Sequence, residues 1–252
     1  MEIIDGYTHC GISKYQPIER VREVMAAAVV QRAVLVQHLG EFDNSYLAQI
    51  AVADPEHFAS VCLVDHAAAD CGETLGRWSE TGGLKGIRLT IDVFSAQAEL
   101  ATAAIELGLV IVLFAPRGIA GAIGPLASFL DKHPQARLVV THLGNPNMSN
   151  LEGVAHDLLR LADYPNVYIQ ISGMGMFTPW PHEPLYGLIE RAFERFGAAR
   201  LYWGSNFPVV GDQSEYQHDL ALILDHKLPL PAAAIPAIVG LNAKRLWFPV
   251  VP

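Results

Sequence analysis

Two histidines and an asparagine stand where apolar runs of this sequence give out: His9 in IIDGYTH, His142 in VVTHLG and Asn206 in LYWGSNFP. A neutral imidazole takes up or gives a proton near pH 7, which makes His9 and His142 candidate acid–base groups. Asn206 has no titratable proton near neutrality, so it is no general base; it can orient water or donate a hydrogen bond to a carbonyl. Gly204 and Ser205 let the backbone there approach something closely, and Pro208 ends the run. Tyr7 lies two residues before His9, so on a strand the two share one face. A histidine in place of Tyr7 would complete a two-imidazole metal claw, whereas a protonated phenol binds hard metals poorly. Two imidazoles and an amide, with no carboxylate, are a poor catalytic zinc set, and no metal is expected. Three cations complete the candidates: Lys85 and Arg88 in GLKGIRLT, and Arg117 in FAPRG. A spacing of three puts Lys85 and Arg88 on opposite faces of a strand, so one of them points inward. With Arg117 as a second candidate, an arginine pair can grip a carboxylate and draw charge from a neighbouring ester carbonyl.

These residues need a frame that gathers strand ends. Short runs rich in Val, Ile and Leu predict strands over 3–9, 33–38, 59–65, 86–89, 109–114, 138–142, 167–171 and 201–204. Amphipathic stretches predict helices over 18–30, 45–53, 72–79, 97–107, 119–132, 151–162, 185–196, 215–226 and 235–247. Gly108, Pro134, Pro165 and Gly197 sit at helix-to-strand joints, where chain breakers belong. Eight strands, each followed by a helix and with no linker, read as one (β/α)₈ barrel domain over 1–252. A doubly wound sheet competes, but Gly6 and Gly11 do not make its glycine-rich first turn. In a barrel the C-terminal strand ends share one rim, which adds Gln37, His38, Asp65, His66 and Ser172 to the groups above. The proline-stiffened FTPWPHEP segment is expected to place Trp180 and His182 as a lid over that rim.

Composition narrows the function classes. The 252 residues are 51% hydrophobic and 17% charged, which supports a large core. A net charge of -9 argues against nucleic acid as principal partner, while leaving a small anionic substrate open. Cys10, Cys62 and Cys71 form no metal-like spacing and suit a reducing compartment. With no signal-peptide pattern and no membrane-length apolar run, a cytoplasmic protein is expected.

The segments IIDGYTH, VVTHLGNP, YPNVYIQISG, RLYWGSNFP and LNAKRLW, in this order, resemble the amidohydrolase-2 branch of the amidohydrolase superfamily. The likeness is to its sugar-lactone and 2-pyrone-4,6-dicarboxylate lactonase-like members. The resemblance implies a distorted TIM barrel acting as a lactonase-like hydrolase on a small cyclic carboxylate or sugar lactone. It places Asp5, Tyr7 and His9 on the family's Asp-x-His-x-His opening, so Tyr7 replaces the first metal histidine. His142 matches the family's strand-six histidine, and Asn206 falls on the strand-eight aspartate that activates water. The matching fourth-strand segment supplies a substrate-binding arginine, which favours Arg88 over Lys85. On this reading Arg88 and Arg117 hold the acid group and Tyr7 donates a hydrogen bond. His9 and His142 move the proton, and Asn206 places water or substrate. With Asn206 in place of the aspartate, four readings stay open: a histidine base, a proton shuffle on a lactone or enol, a binding-only relative, or an engineered disabled enzyme. The rival enzyme is a decarboxylase or amidohydrolase of aromatic or muconate acids using one divalent metal such as zinc.

Overall fold

In the computed structural model, which describes residues 1–249, eight parallel strands form a TIM barrel wrapped by helices. The strands are β1 (Ile4–Thr8), β2 (Arg32–Val36), β3 (Phe58–Cys62), β4 (Leu84–Thr90), β5 (Val110–Phe114), β6 (Leu138–Val140), β7 (Val167–Ile171) and β8 (Leu201–Trp203). Between them run α1 (Ile18–Ala27), α2 (Ser45–Ala53), α3 (Cys71–Ser79), the single turn α4 (Val93–Ala96), α5 (Ala98–Glu106), α6 (Ile123–Lys132), α7 (Leu151–Arg160) and α8 (Tyr186–Phe196). After β8 come α9 (Gln213–Leu224) and α10 (Asn242–Trp247), the latter preceded by a π-helical turn at Ala237–Leu241. Each predicted strand is present. The α-helical turn α4, in the connection after β4, was not expected, nor were the 3-10 turns at His142–Gly144, Met174–Met176 and Ala198–Arg200.

Side-chain alternation explains how short apolar runs serve two layers at once. On β2, Val34 and Val36 point into the barrel while Ala33 and Leu35 face the helices; on β5, Val110 and Val112 point in while Ile111 and Leu113 point out. At the strands' N-terminal end, Ala243, Leu246 and Trp247 of α10 pack into the barrel against these inward valines. The final helix is therefore a hydrocarbon plug.

Adjacent strands are joined in sequence order from β1 to β8. Among the described residues no strand ladder joins β8 back to β1. The turn after β8 stitches the seam instead: Asn206 N donates to Tyr7 O at 2.8 Å and His9 N to Phe207 O at 2.8 Å. The buried Asp5 carboxylate accepts from Ser205 N at 2.8 Å, Ser205 Oγ at 2.6 Å and Tyr7 N at 3.1 Å. Gly6 and Gly204 let β1 and the end of β8 meet this closely; a Cβ on Gly204 would lie 2.8 Å from the Tyr7 Cβ. The barrel is distorted at the place where the conspicuous polar residues of β1 and β8 meet.

Candidate active site

The C-terminal end of the barrel collects Tyr7, His9, Arg88, His142, Ser172 and Asn206, all buried. Tyr7 is inward-facing on β1, and its ring stands between two imidazoles. Both meet it edge-on, His9 at 5.1 Å and His142 at 4.9 Å between centroids. His9 lies just past β1, and its Nδ1 is 2.6 Å from Val36 O. A carbonyl can only accept, so His9 carries its proton on Nδ1 and bares the Nε2 lone pair. His142 is not on a strand: β6 stops at Val140, and His142 and Leu143 both adopt left-handed backbone, φ 52° and 53°. That turn aims the His142 ring across the barrel mouth, where its Nδ1 is 2.7 Å from Ser172 Oγ. Asn206 also sits in the left-handed region, φ 57°, a conformation asparagine tolerates better than most residues.

Arg88 enters from β4. Its Nη1 donates to Gln37 O at 3.1 Å, and the guanidinium lies over Phe114 at 4.7 Å and near Tyr7 at 5.9 Å. Arg88 Nε and Tyr7 Oη are buried and, among the described residues, have no hydrogen-bond partner. Among the described residues, Asn206 Nδ2 reaches only the Met176 sulfur at 3.4 Å, a weak acceptor. Buried donors left unmet are costly, and those of Tyr7 and Arg88, on side chains next to each other and beside neutral imidazoles, are suited to a ligand's oxygens.

Burial sets the electrostatics. It pulls the His9 imidazolium down to about 3, with the Arg88 charge adding to the effect. Burial, then Arg88, then His9 hold His142 well below its ordinary value. Both rings are neutral at pH 7. Burial raises the Tyr7 phenol against the opposing pull of Arg88, so it stays a donor. Asp5 is pushed up to about 6 by burial, despite its bonds from Ser205 and the Tyr7 amide.

Two loops cover this centre. Tyr15, after β1, stacks on His9 at 5.0 Å and meets His38 edge-on at 5.3 Å. Met176, after β7, lies against Asn206. Beside the centre, a recess of about 120 Å³ runs from Arg88 past Thr90, His66, Leu39 and Phe42.

Several expected site residues fall elsewhere. Lys85 is exposed near the start of β4, where it borders a surface cavity with Arg32, Glu56 and Trp247 at the plugged end of the barrel. Three residues of strand separate it from Arg88 by roughly 10 Å, so the substrate-binding assignment for Lys85 is corrected. Arg117 is exposed on the rim, where its charge adds a little to the hydrogen bond from Thr90 that lowers the Asp92 carboxyl. It does not join the centre. His182 is not part of a lid: it is buried, with Nε2 3.0 Å from Asp219 Oδ1 and Nδ1 2.9 Å from Thr178 O, and ties its loop to α9. Trp180 remains exposed at 59%. Tyr15, Met176 and Gln170 were not anticipated. Gln170 alone carried a signal, as an amide in the apolar run VYIQI on the same face as Ser172.

Among the described residues no three His, Cys, Asp or Glu side chains gather as metal ligands. His9 and His142 supply two imidazoles, Tyr7 a phenol kept protonated by burial, and Asn206 a neutral amide. The neighbouring carboxylate, Asp5, is engaged by Ser205 and the Tyr7 amide. This donor set does not fit a catalytic zinc site.

A parallel eight-stranded barrel with two imidazoles, an arginine and a strand-eight amide at its C-terminal end has the layout of a TIM-barrel enzyme. The chain belongs to the amidohydrolase family, which it matches over residues 9–248. It is 26% identical over 197 residues to an L-fucono-1,5-lactonase of Burkholderia ambifaria, a span covering 74% of this chain and 68% of that protein. Its fold is similar to that of a Pseudomonas putida protein assigned as a 2-pyrone-4,6-dicarboxylic acid hydrolase, with TM-score 0.81 at 22% identity, covering 100% of this chain and 99% of the other. It is also similar to a zinc-bound amidohydrolase from Burkholderia multivorans, with TM-score 0.78 at 20% identity, covering 98% and 99% of the two chains. The lactonase-like resemblance of the sequence is thus upheld. Among the described residues, no helix is long and apolar enough to cross a membrane.

Proposed function

We propose that this enzyme opens a small lactone bearing a carboxylate, adding water to the ring ester without a tightly bound metal. The observation that carries the reading is the pair of buried, unpartnered donors, Tyr7 Oη and Arg88 Nε, beside two imidazoles whose Nε2 atoms have no protein partner among the described residues. Arg88 holds the carboxylate, with the recess beside it receiving the rest of the substituent. Arg117, out on the rim, adds to the field that draws the anion inward.

His142 Nε2 takes a proton as the water oxygen bonds to the ester carbonyl carbon, and Asn206 orients that water. Tyr7 donates to the carbonyl oxygen, where negative charge grows. The ring C–O bond then breaks, and the leaving oxygen recovers the proton from His142, giving the open hydroxy acid. A buried imidazole is a weak base at rest. It becomes a better one in the transition state, when an oxyanion and a substrate carboxylate stand nearby.

The test is a panel of carboxylated and sugar lactones assayed from pH 6 to 9, with metal content measured on the same protein. Ring opening by protein holding far less than one metal per chain is the expected result. A chain that opens no lactone, or opens one only when loaded with zinc or manganese, contradicts the proposal.

A further inference from the structure

The hydrogen-bond chain behind His142 has a direction that can be read from its fixed end. Gly6 O is a backbone carbonyl and can only accept, and Gln170 Nε2 lies 3.1 Å from it. The Gln170 amide is thereby oriented, and its Oε1 must face Ser172 Oγ, 2.9 Å away. An amide oxygen also only accepts, so the Ser172 hydroxyl spends its single hydrogen on Gln170. Toward His142 Nδ1, 2.7 Å off, Ser172 Oγ can then only accept. His142 must carry its proton on Nδ1 and present a bare Nε2 to the mouth.

We infer that Gln170 and Ser172 are positioning residues that fix the tautomer of His142; their catalytic part rests on the reading above, in which His142 Nε2 is the base. Neither touches substrate in that reading. Gln170, Ser172 and His142 are all buried, so water does not compete for these bonds. Glycines make the room: a Cβ on Gly204 would lie 3.2 Å from Gln170 Nε2, and one on Gly173 would lie 2.9 Å from His142 Nδ1. His9 reaches the same tautomer by a different route, through Val36 O. The two rings differ in that His9 depends on backbone alone, whereas His142 depends on two side chains that substitution can remove.

The experiment is long-range ¹H–¹⁵N NMR of the imidazole nitrogens at pH 7, without substrate, with the His142 signals assigned from their loss in His142→Gln. We expect a protonated Nδ1 and a bare Nε2 in the wild type, and a mixture of tautomers in Ser172→Ala and in Gln170→Leu. Ser172→Thr, which keeps the hydroxyl, should restore the wild-type pattern. On an active lactone, Ser172→Ala should lower kcat about tenfold with KM little changed, the scale of one lost hydrogen bond to a reacting group. Gln170→Glu should move the acid limb of the kcat profile to higher pH, because a carboxylate behind Ser172 favours the imidazolium.

A wild-type His142 protonated on Nε2, or nitrogen signals unchanged by both Ser172→Ala and Gln170→Leu, overturns the assignment. So does a fall in kcat with no change of tautomer, which marks a merely structural role. The NMR result is independent of turnover: a tautomer shift in a protein that opens no lactone leaves the assignment standing and sinks the proposed reaction.

Discussion

The two ends of the barrel interior are built from opposite materials. At the N-terminal end, Trp247 and Leu246 fill the space between inward valines, and the buried surface is hydrocarbon with few polar exceptions. At the C-terminal end, within a few residues along the same strands, Tyr7, His9, Arg88, His142 and Asn206 are buried, with the Tyr7 ring against both imidazoles and near the Arg88 guanidinium. The first arrangement gains from burial and tolerates no void. Unmet donors occur at both ends, since Tyr202 Oη and, in the plug, Trp247 Nε1 have no partner among the described residues. The second end differs in holding two histidines away from their ordinary protonation behaviour beside an arginine and a phenol, which packing alone does not explain. The contrast separates residues that stabilise the fold from residues that the fold is made to carry.

Substitutions at each end should therefore give different signatures. The largest effect is expected from His142→Gln, with kcat on a lactone down about 10²- to 10⁴-fold and the unfolding midpoint little changed. Steady-state kinetics beside denaturant unfolding read both quantities. Trp247→Ala should do the reverse, costing about 3–5 kcal/mol of stability while kcat per folded molecule stays near wild type. Loss of activity without loss of stability in Trp247→Ala would break the comparison.

The polar end should also dominate the response to acid. His9 is pulled down to about 3 from 6.5, so the unfolded chain binds its proton first. Its stabilising contribution is full above pH 6.5 and is lost as pH falls toward 3. His142 acts in the same direction. Asp5, raised from 3.8 to about 6, has the opposite sign: its contribution is full below 3.8 and is lost as pH rises through 6. Denaturant unfolding measured from pH 7 to pH 4 should thus show falling stability, more steeply in Asp5→Asn, which removes the compensating group, and less steeply in His9→Gln. The smallest effect is expected at Lys85. Lys85→Ala should leave kcat and KM on a lactone at wild-type values, and any selective rise in KM would return this lysine to the substrate's neighbourhood.

Much of the fold was legible because strand and helix periodicities differ and Gly or Pro marks the joints, as at Gly108 and Gly197. The short connections left few alternatives to a barrel. The site was legible where chemistry coincides with a strand end, as at His9 and Asn206. Lys85 was misplaced although the expected strand, 86–89, already set it before the first strand residue; β4, Leu84–Thr90, keeps it at that far end, and the chain runs from there toward the rim. His182 was misread because its partner, Asp219, lies 37 residues away on another element. Tyr15 reaches His9 through an irregular turn with φ 70°, for which the sequence has no period to follow. The role of α10 as a plug, rather than one more outer helix, depends on the barrel having an open bottom, a tertiary fact invisible to local pattern.

The most direct test of the account compares this chain with its Asn206→Asp variant, on one lactone panel and with metal measured on both. The Asn206 protein is expected to turn over with far less than one metal per chain, its proton moved by His142. Turnover confined to the aspartate variant, or to metal-loaded protein, would contradict it.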